Sequence, residues 1–146
     1  MVGLGVLLDG RIKSFLLKLI SYRLGERPCK IMTKLYPASP DGWIGHEDCG
    51  QVSAWLVLGA MGINQVIPGD PRYSHGGPLF PQVGVGLLNG KISLVRMKND
   101  TPTHPYVQRI ALNGVPLKTP FVACADSLGG VELMFEMGDR KTMTWK

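Results

Sequence analysis

The spacing of apolar residues along this chain changes once. In the first third it follows the helical period. Ile12, Phe15, Leu16, Leu19 and Ile20, with Arg23 beside them, fall on one helical face, and Arg11, Lys13 and Lys18 lie away from it. This pattern predicts an amphipathic helix that ends near Gly25, with Pro28 beyond it. Residues Lys30 to Tyr36 form a second short helical segment, which Pro37, Pro40 and Gly42 turn into a loop. A third helix is expected from about Gly50 to Met61, stopped by Gly62. Trp55 and its neighbours make it apolar nearly all round, so burial is expected.

Residues 64–82 carry Pro68, Pro71, Pro78, Pro81 and the Gly76-Gly77 pair, and are expected to be irregular. Beyond them the period becomes two. Val83, Val85 and Leu87 alternate, Asn89-Gly90 makes a hairpin turn, and Ile92 and Leu94 alternate again. Tyr106 to Leu112 form a further strand, Asn113-Gly114 a second turn, and Val115 to Leu117 a short return. In the last strand Val131, Leu133, Phe135 and Met137 alternate with Glu132 and Glu136 on a wet face. The expected class is α+β, with helices before residue 65 and antiparallel strands after residue 82. A division into 1–66 and 67–146 follows.

Composition narrows the class. A chain of 146 residues, 45% of them apolar, can bury a core, and 19 glycines with 11 prolines favour many turns. Cys29, Cys49 and Cys124 are odd in number and lack paired spacing, so they make no disulfide framework. The net charge of +5 belongs to the N-terminal segment: seven basic residues precede Tyr36 against Asp9 and Glu26, and nine basic residues balance nine acidic ones afterwards. A basic helix there suits a core-packed role first and a membrane surface second. Aromatic interleaving is missing, so no nucleic-acid partner is expected. No run has the apolar length of a membrane span. Met1 to Leu8 is apolar without a basic leader, and Asp9 and Arg11 close it too soon for a signal peptide. Asn99-Asp-Thr101 is a glycosylation triplet followed directly by Pro102.

The chemistry concentrates in Asp41-Gly-Trp-Ile-Gly-His-Glu-Asp-Cys-Gly-Gln-Val-Ser-Ala-Trp55, where His46, Glu47 and Asp48 stand between Gly45 and Gly50. Carboxylates on a tight loop at a helix start can be held rigidly for acid–base work. Asp48 can equally serve as the N-cap of the helix that follows, with Glu47 solvated. Cys49 beside His46 could act as a thiol nucleophile, or Cys49 with His46 and His75 or His104 could hold zinc. Flanking patterns support neither.

The order of these residues resembles the signature of glycoside hydrolase family 92, Gly-Asn/Asp-Glu/Asp-Asp-x-Gly-Gln-Met-Ser-Ala-Trp. Lys34-Leu-Tyr36 with Pro40-Asp-Gly42, then Pro68-Gly-Asp-Pro-Arg-Tyr73, Gly77-Pro-Leu-Phe80, Tyr106-Val-Gln108, Leu112-Asn-Gly114 and Phe135-Glu-Met-Gly138, are similar to further segments of that family, in its order. The resemblance covers the chain from about Leu19 onward. It implies the last helices of an (α/α)6 barrel followed by an antiparallel β segment. It implies calcium-dependent hydrolysis of α-mannosidic bonds in mannose-containing glycans with inversion. By position in the motif, Asp48 matches the general base, Glu47 an acidic position beside it, and His46 a substrate-facing position that is Asn or Asp in the family. It also suggests a secreted or periplasmic location.

Several family features are missing. No residue of 1–18 matches the Gly-Asn-Glu-Pro segment. Gly25-Glu-Arg-Pro28 shortens a longer run, Val52 and Leu56 replace Met and Tyr, and Ile63-Asn-Gln-Val66 replaces an aromatic-rich stretch. The general acid and most calcium ligands of the family lie upstream of this motif, so no metal ligand is assigned here. The resemblance therefore implies a fragment or a degenerate copy, inactive alone and completed by the missing upstream barrel or another subunit. The alternative is a non-catalytic β module that binds carbohydrate or a subunit, which an exposed aromatic platform on the sheet would favour.

Overall fold

A computed structural model of the chain describes residues 26–40, 42, 49–65, 69–127 and 129–140. The helix expected over residues 12–23 lies outside them. The described class is α+β, as expected.

Two helices lead. Helix α1 is Glu26–Leu35 and α2 is Gln51–Ala60. The first starts earlier than Lys30 and takes in Pro28, which the first helical turn tolerates because its amide needs no partner there. Met32 is buried, and its Sδ would lie 3.2 Å from a Cβ placed on Gly59 of α2, so a small residue on one helix admits a large one from the other. The burial expected for α2 is not found. Among its residues Gly59 is buried, while Trp55 is 38% and Val57 59% exposed. The apolar composition is real, but α1 and β1 cover only part of the helix surface. Gly62 ends α2 with φ +75 and an amide donating to the Gly59 carbonyl at 2.9 Å, the left-handed stop its sequence position predicts.

Among the described residues eight strands follow: β1 Ile63–Asn64, β2 Arg72–His75, β3 Gln82–Gly86, β4 Ile92–Lys98, β5 Tyr106–Leu112, β6 Val115–Pro116, β7 Phe121–Ala123 and β8 Glu132–Gly138. A short helix, α3, Cys124–Ser127, lies between the last two. The strands make two sheets, one in the order β1-β2-β7 and one in the order β3-β4-β8-β5-β6. Both expected hairpins are present. At the first, the Gly90 amide donates to the Leu87 carbonyl and the Leu87 amide to the Lys91 carbonyl, closing a turn with Gly90 left-handed at φ 76. At the second, Asn113 and Gly114 both have positive φ, 50 and 81, as a tight two-residue turn between twisted strands requires.

The purely antiparallel expectation is corrected at one pairing. Strand β8 pairs antiparallel with β5 but parallel with β4, in the register Val95↔Leu133 and Met97↔Phe135. The reason is geometric: a strand inserted between two antiparallel neighbours must run parallel to one of them. β8 takes that central place because it brings the most apolar inward set. Leu133, Phe135 and Met137 alternate inward and, with Val95, Val107 and Ile110, form the core. The expectation of irregular chain over 64–82 also fails in part. Arg72–His75 is a strand whose polar residues gave no alternating apolar signal, yet Ser74 and His75 are its buried positions. Ser74 Oγ donates to the Asn64 carbonyl at 3.1 Å, and the His75 amide to the Pro120 carbonyl at 3.0 Å.

Candidate functional site

The acidic loop is framed on both sides by constrained backbone. Upstream, the Ser39 amide donates to the Pro37 carbonyl and the Gly42 amide to the Ser39 carbonyl, each at 2.9 Å. A Cβ on Gly42 would stand 2.0 Å from the Pro37 oxygen, so this double turn requires glycine. The Tyr36 ring lies 5.8 Å from that of Trp55 on α2, tilted by 54°. Tyr36, Pro37, Ala38, Ser39, Pro40, Gly42 and Leu56 line a cleft of about 520 Å³. Sequence reasoning did not single this cleft out. Its signal was the proline-rich stretch after an aromatic residue, directly before the loop.

Downstream, Cys49 and Gly50 are consecutive left-handed residues, with φ 62 and 83. Such a pair reverses the chain sharply into α2, and a left-handed cysteine is uncommon enough to mark a constrained site. The N-cap of α2 is Gly50, which makes no side-chain capping bond, and the Ala54 amide donates to its carbonyl at 3.0 Å. Asp48 stands two positions before that cap, so the capping role weighed for it falls on another residue. His46, Glu47 and Asp48 themselves lie outside the described residues.

The second proline-rich segment is built as a brace. Asp70 Oδ1 accepts from the Arg72 amide and Nε, at 3.0 and 2.9 Å, and Oδ2 accepts from a terminal guanidinium nitrogen at 2.7 Å. The Arg72 guanidinium carbon lies 5.0 Å from the centroid of the Phe121 ring. The hydrogen bond to Asp70, then its charge, raises the Arg72 pKa above the ordinary value. The arrangement ties β2 to β7 and leaves the Asp70 carboxylate occupied. Cys124 Sγ meets the Tyr73 hydroxyl at 3.5 Å, and that contact, with burial behind it, raises the Tyr73 pKa.

His75 has a different environment. It is 3% exposed, and neither ring nitrogen has a hydrogen-bond partner. Burial pushes its pKa down to about 4, against a weaker pull from the Gly62 carbonyl, which does not reach hydrogen-bonding geometry. Its ring meets Phe135 of the central strand, so it joins the two sheets as a neutral, largely apolar side chain.

The zinc and thiol arrangements weighed from sequence both include His46, which lies outside the described residues. Among the described residues no group of three or more His, Cys, Asp or Glu side chains could hold a metal. His104 Nδ1 is instead paired with the Asn99 carbonyl at 3.1 Å. The registers place Ile92, Leu94, Arg96, Glu132 and Met134 on the outer face of the larger sheet, where Arg96 and Glu132 pair at 3.3 Å. Of the aromatic residues in its strands, Tyr106 alone takes a position on that face, at its end. That is not the stacking platform a carbohydrate-binding β module would present. Among the described residues no helix is long and apolar enough to cross a membrane.

The family described as the glycosyl hydrolase family 92 catalytic domain matches residues 25–139. No curated protein matches the chain. A family 92 α-mannosidase from Bacteroides thetaiotaomicron aligns with 90% of this chain and 19% of its own, at 26% identity and a TM-score of 0.78. The same mannosidase in complex with mannoimidazole aligns at 28% identity and a TM-score of 0.75, over 86% and 17% of the two chains. A family 92 inverting mannosidase from the same organism aligns at 33% identity and a TM-score of 0.72, over 82% of this chain and 16% of that one. The chain thus spans under a fifth of the solved structures it resembles.

Proposed function

Because the chain belongs to glycosyl hydrolase family 92, we propose that it contributes the base side of an inverting α-mannosidase site, with Asp48 as the general base. The match over residues 25–139, which contain the acidic loop in its signature context, carries this reading. The mannosidases among its structural neighbours support the substrate class.

In an inverting reaction, one carboxylic acid protonates the leaving oxygen while a carboxylate some 6.5–9.5 Å away activates water on the opposite face of the sugar. Asp48 takes the proton from that water as its oxygen attacks the anomeric carbon. The left-handed pair Cys49-Gly50 and the glycine-locked turn at Gly42 support a loop held at both ends, as a base that must meet one water requires. Glu47 adds negative charge beside it and favours the protonated form of a nearby acid. His46 stands where the family has Asn or Asp, so on this reading an imidazole replaces an amide or carboxylate at a substrate-binding position.

Calcium takes six to eight oxygen ligands. Glu47 and Asp48 are oxygen donors of the right kind but too few, and the described residues hold no cluster to complete them. The described residues do not make a calcium site by themselves, and no step here passes through the metal. The general acid and the calcium ligands belong to the upstream part of the catalytic domain, of which α1 and α2 would be the last barrel helices. The chain alone is inactive on this reading.

The test joins the chain to the upstream part of a family 92 catalytic domain and follows an α-mannoside by proton NMR. The expected first product is β-mannose, which then mutarotates. Appearance of α-mannose first, or no hydrolysis by a folded joined protein, contradicts the proposal.

A further inference from the structure

Two contacts set how α1 and α2 lie together. A Cβ on Gly59 of α2 would stand 3.2 Å from Met32 Sδ of α1. Four residues on from Met32, and four back from Gly59, the Tyr36 ring meets that of Trp55 at 5.8 Å. A step of four is one helical turn, so the segments run antiparallel with their contacts on one stripe. The ring pair stands at the end of that stripe from which the chain leaves for residues 43–48 and returns. We infer that the Tyr36–Trp55 contact is the clamp that ties the two stems of the acidic loop together. Tyr36 is then a positioning residue for Asp48.

Each stem is stiff by itself. The double turn before the loop is locked at Gly42, where a Cβ would meet the Pro37 oxygen at 2.0 Å. The return carries the left-handed pair Cys49 and Gly50. Two stiff stems hold a loop at one span only when something joins them, and the rings do so. Leu56, next to Trp55, lines one cleft with Pro37, Ser39 and Gly42, so the stems stay side by side beyond the rings. A tilted aromatic pair shifts an equilibrium roughly two- to tenfold beyond the area it buries. No packed core stands behind it to take over: Trp55 is 38% exposed, and Gly59 is the buried residue of α2. The clamp is independent of the chemistry, whereas its consequence for catalysis rests on the reading of Asp48 as the base.

A protease that cleaves after glutamate reads the loop directly on the folded 146-residue chain. Glu47 reports the loop, while Glu132 and Glu136 on the central strand β8 report global unfolding. Tyr36→Ala should speed cleavage after Glu47 roughly tenfold and leave cleavage after Glu132 and Glu136 unchanged. Tyr36→Phe keeps the ring and should restore the unaltered rate. Trp55→Ala should match Tyr36→Ala, and the double variant should be no faster than either, because each removes the same contact. If Tyr36→Ala does not fold, Tyr36→Leu decides by the same comparison. An unchanged rate at Glu47, equal acceleration at all three glutamates, or a Tyr36→Phe chain that behaves like Tyr36→Ala overturns the inference.

In the chain joined to an upstream catalytic-domain part, Tyr36→Ala should lower kcat roughly tenfold or more with little change in KM. Full activity of Asp48→Asn there would sink the base reading and leave the clamp standing. An unchanged kcat in Tyr36→Ala, with Asp48→Asn inactive, would overturn the positioning role and leave the base reading standing. If the joined protein does not turn over, cleavage at Glu47 decides.

Discussion

The His75 imidazole and the Phe135 ring meet in a T-shaped contact, with centroids 6.1 Å apart and planes at 68°, and this contact joins the small sheet to the core strand of the large one. The contact depends on the imidazole being neutral. The folded pKa of about 4 lies below the ordinary value of 6.5, so the unfolded chain binds this proton first as pH falls. Stability from this residue is complete above about pH 6.5 and is lost as pH falls toward 4. The loss totals about 3 kcal/mol at roughly 1.4 kcal/mol per unit. Urea denaturation between pH 7 and pH 4 should show it. His75→Leu should flatten the curve by that amount, and parallel curves for the two proteins would contradict the assignment.

Gly62 and Gly90 share left-handed backbone but not surroundings. A Cβ on Gly62 would lie 2.6 Å from the Gly76 carbonyl oxygen, whereas one on Gly90 meets nothing within 4 Å. Gly90→Ala should therefore cost only the backbone penalty, about 1 kcal/mol, and Gly62→Ala should cost at least ~2 kcal/mol because the Gly76–Pro78 segment that follows β2 must also shift. Denaturant midpoints of the two variants check the ordering.

Phe135 is fully buried at the centre of the large sheet, against Ile110, also fully buried. Phe135→Ala should destabilise by about 3–5 kcal/mol, enough to unfold a marginal domain. Near-UV circular dichroism would report it as loss of fixed tertiary signal.

The helical pair leaves apolar surface open: Ile31, Leu35, Trp55 and Val57 are 41%, 44%, 38% and 59% exposed. The folded chain should bind a hydrophobic dye through this surface. The double variant Leu35→Glu, Val57→Glu should lower dye fluorescence while leaving the β melting transition in place, because neither residue contributes to the sheet core.

Much of this fold is legible in local pattern. Asn89-Gly90 and Asn113-Gly114 mark both hairpins, and the alternation through Leu133, Phe135 and Met137 marks the strand that becomes the core. What local pattern does not carry is pairing at a distance. The parallel match of β4 with β8 depends on which strand fills the gap beside β5, and the chain order conceals it. Arg72–His75 hides for another reason: its buried positions are Ser74 and His75, polar residues whose burial follows from backbone partners on β1 and before β7. The apolar run of α2 predicts a buried helix, yet Trp55 and Val57 stay open, because composition does not say whether a partner surface is present. At the candidate site, the glycine-flanked acidic triplet stands out in the sequence, whereas the cap at Gly50 and the turn locked by Gly42 emerge only from backbone geometry.

The central claim is that Asp48 is the base rather than a structural residue. Its most direct test is the turnover of an α-mannoside by the chain joined to an upstream catalytic-domain part, comparing Asp48→Asn with the unaltered protein. Since the helix cap is Gly50, the substitution should leave the melting temperature in place. The account predicts a fall in kcat of roughly 10²–10⁴-fold with little change in KM. Full activity in a stable Asp48→Asn protein would contradict it.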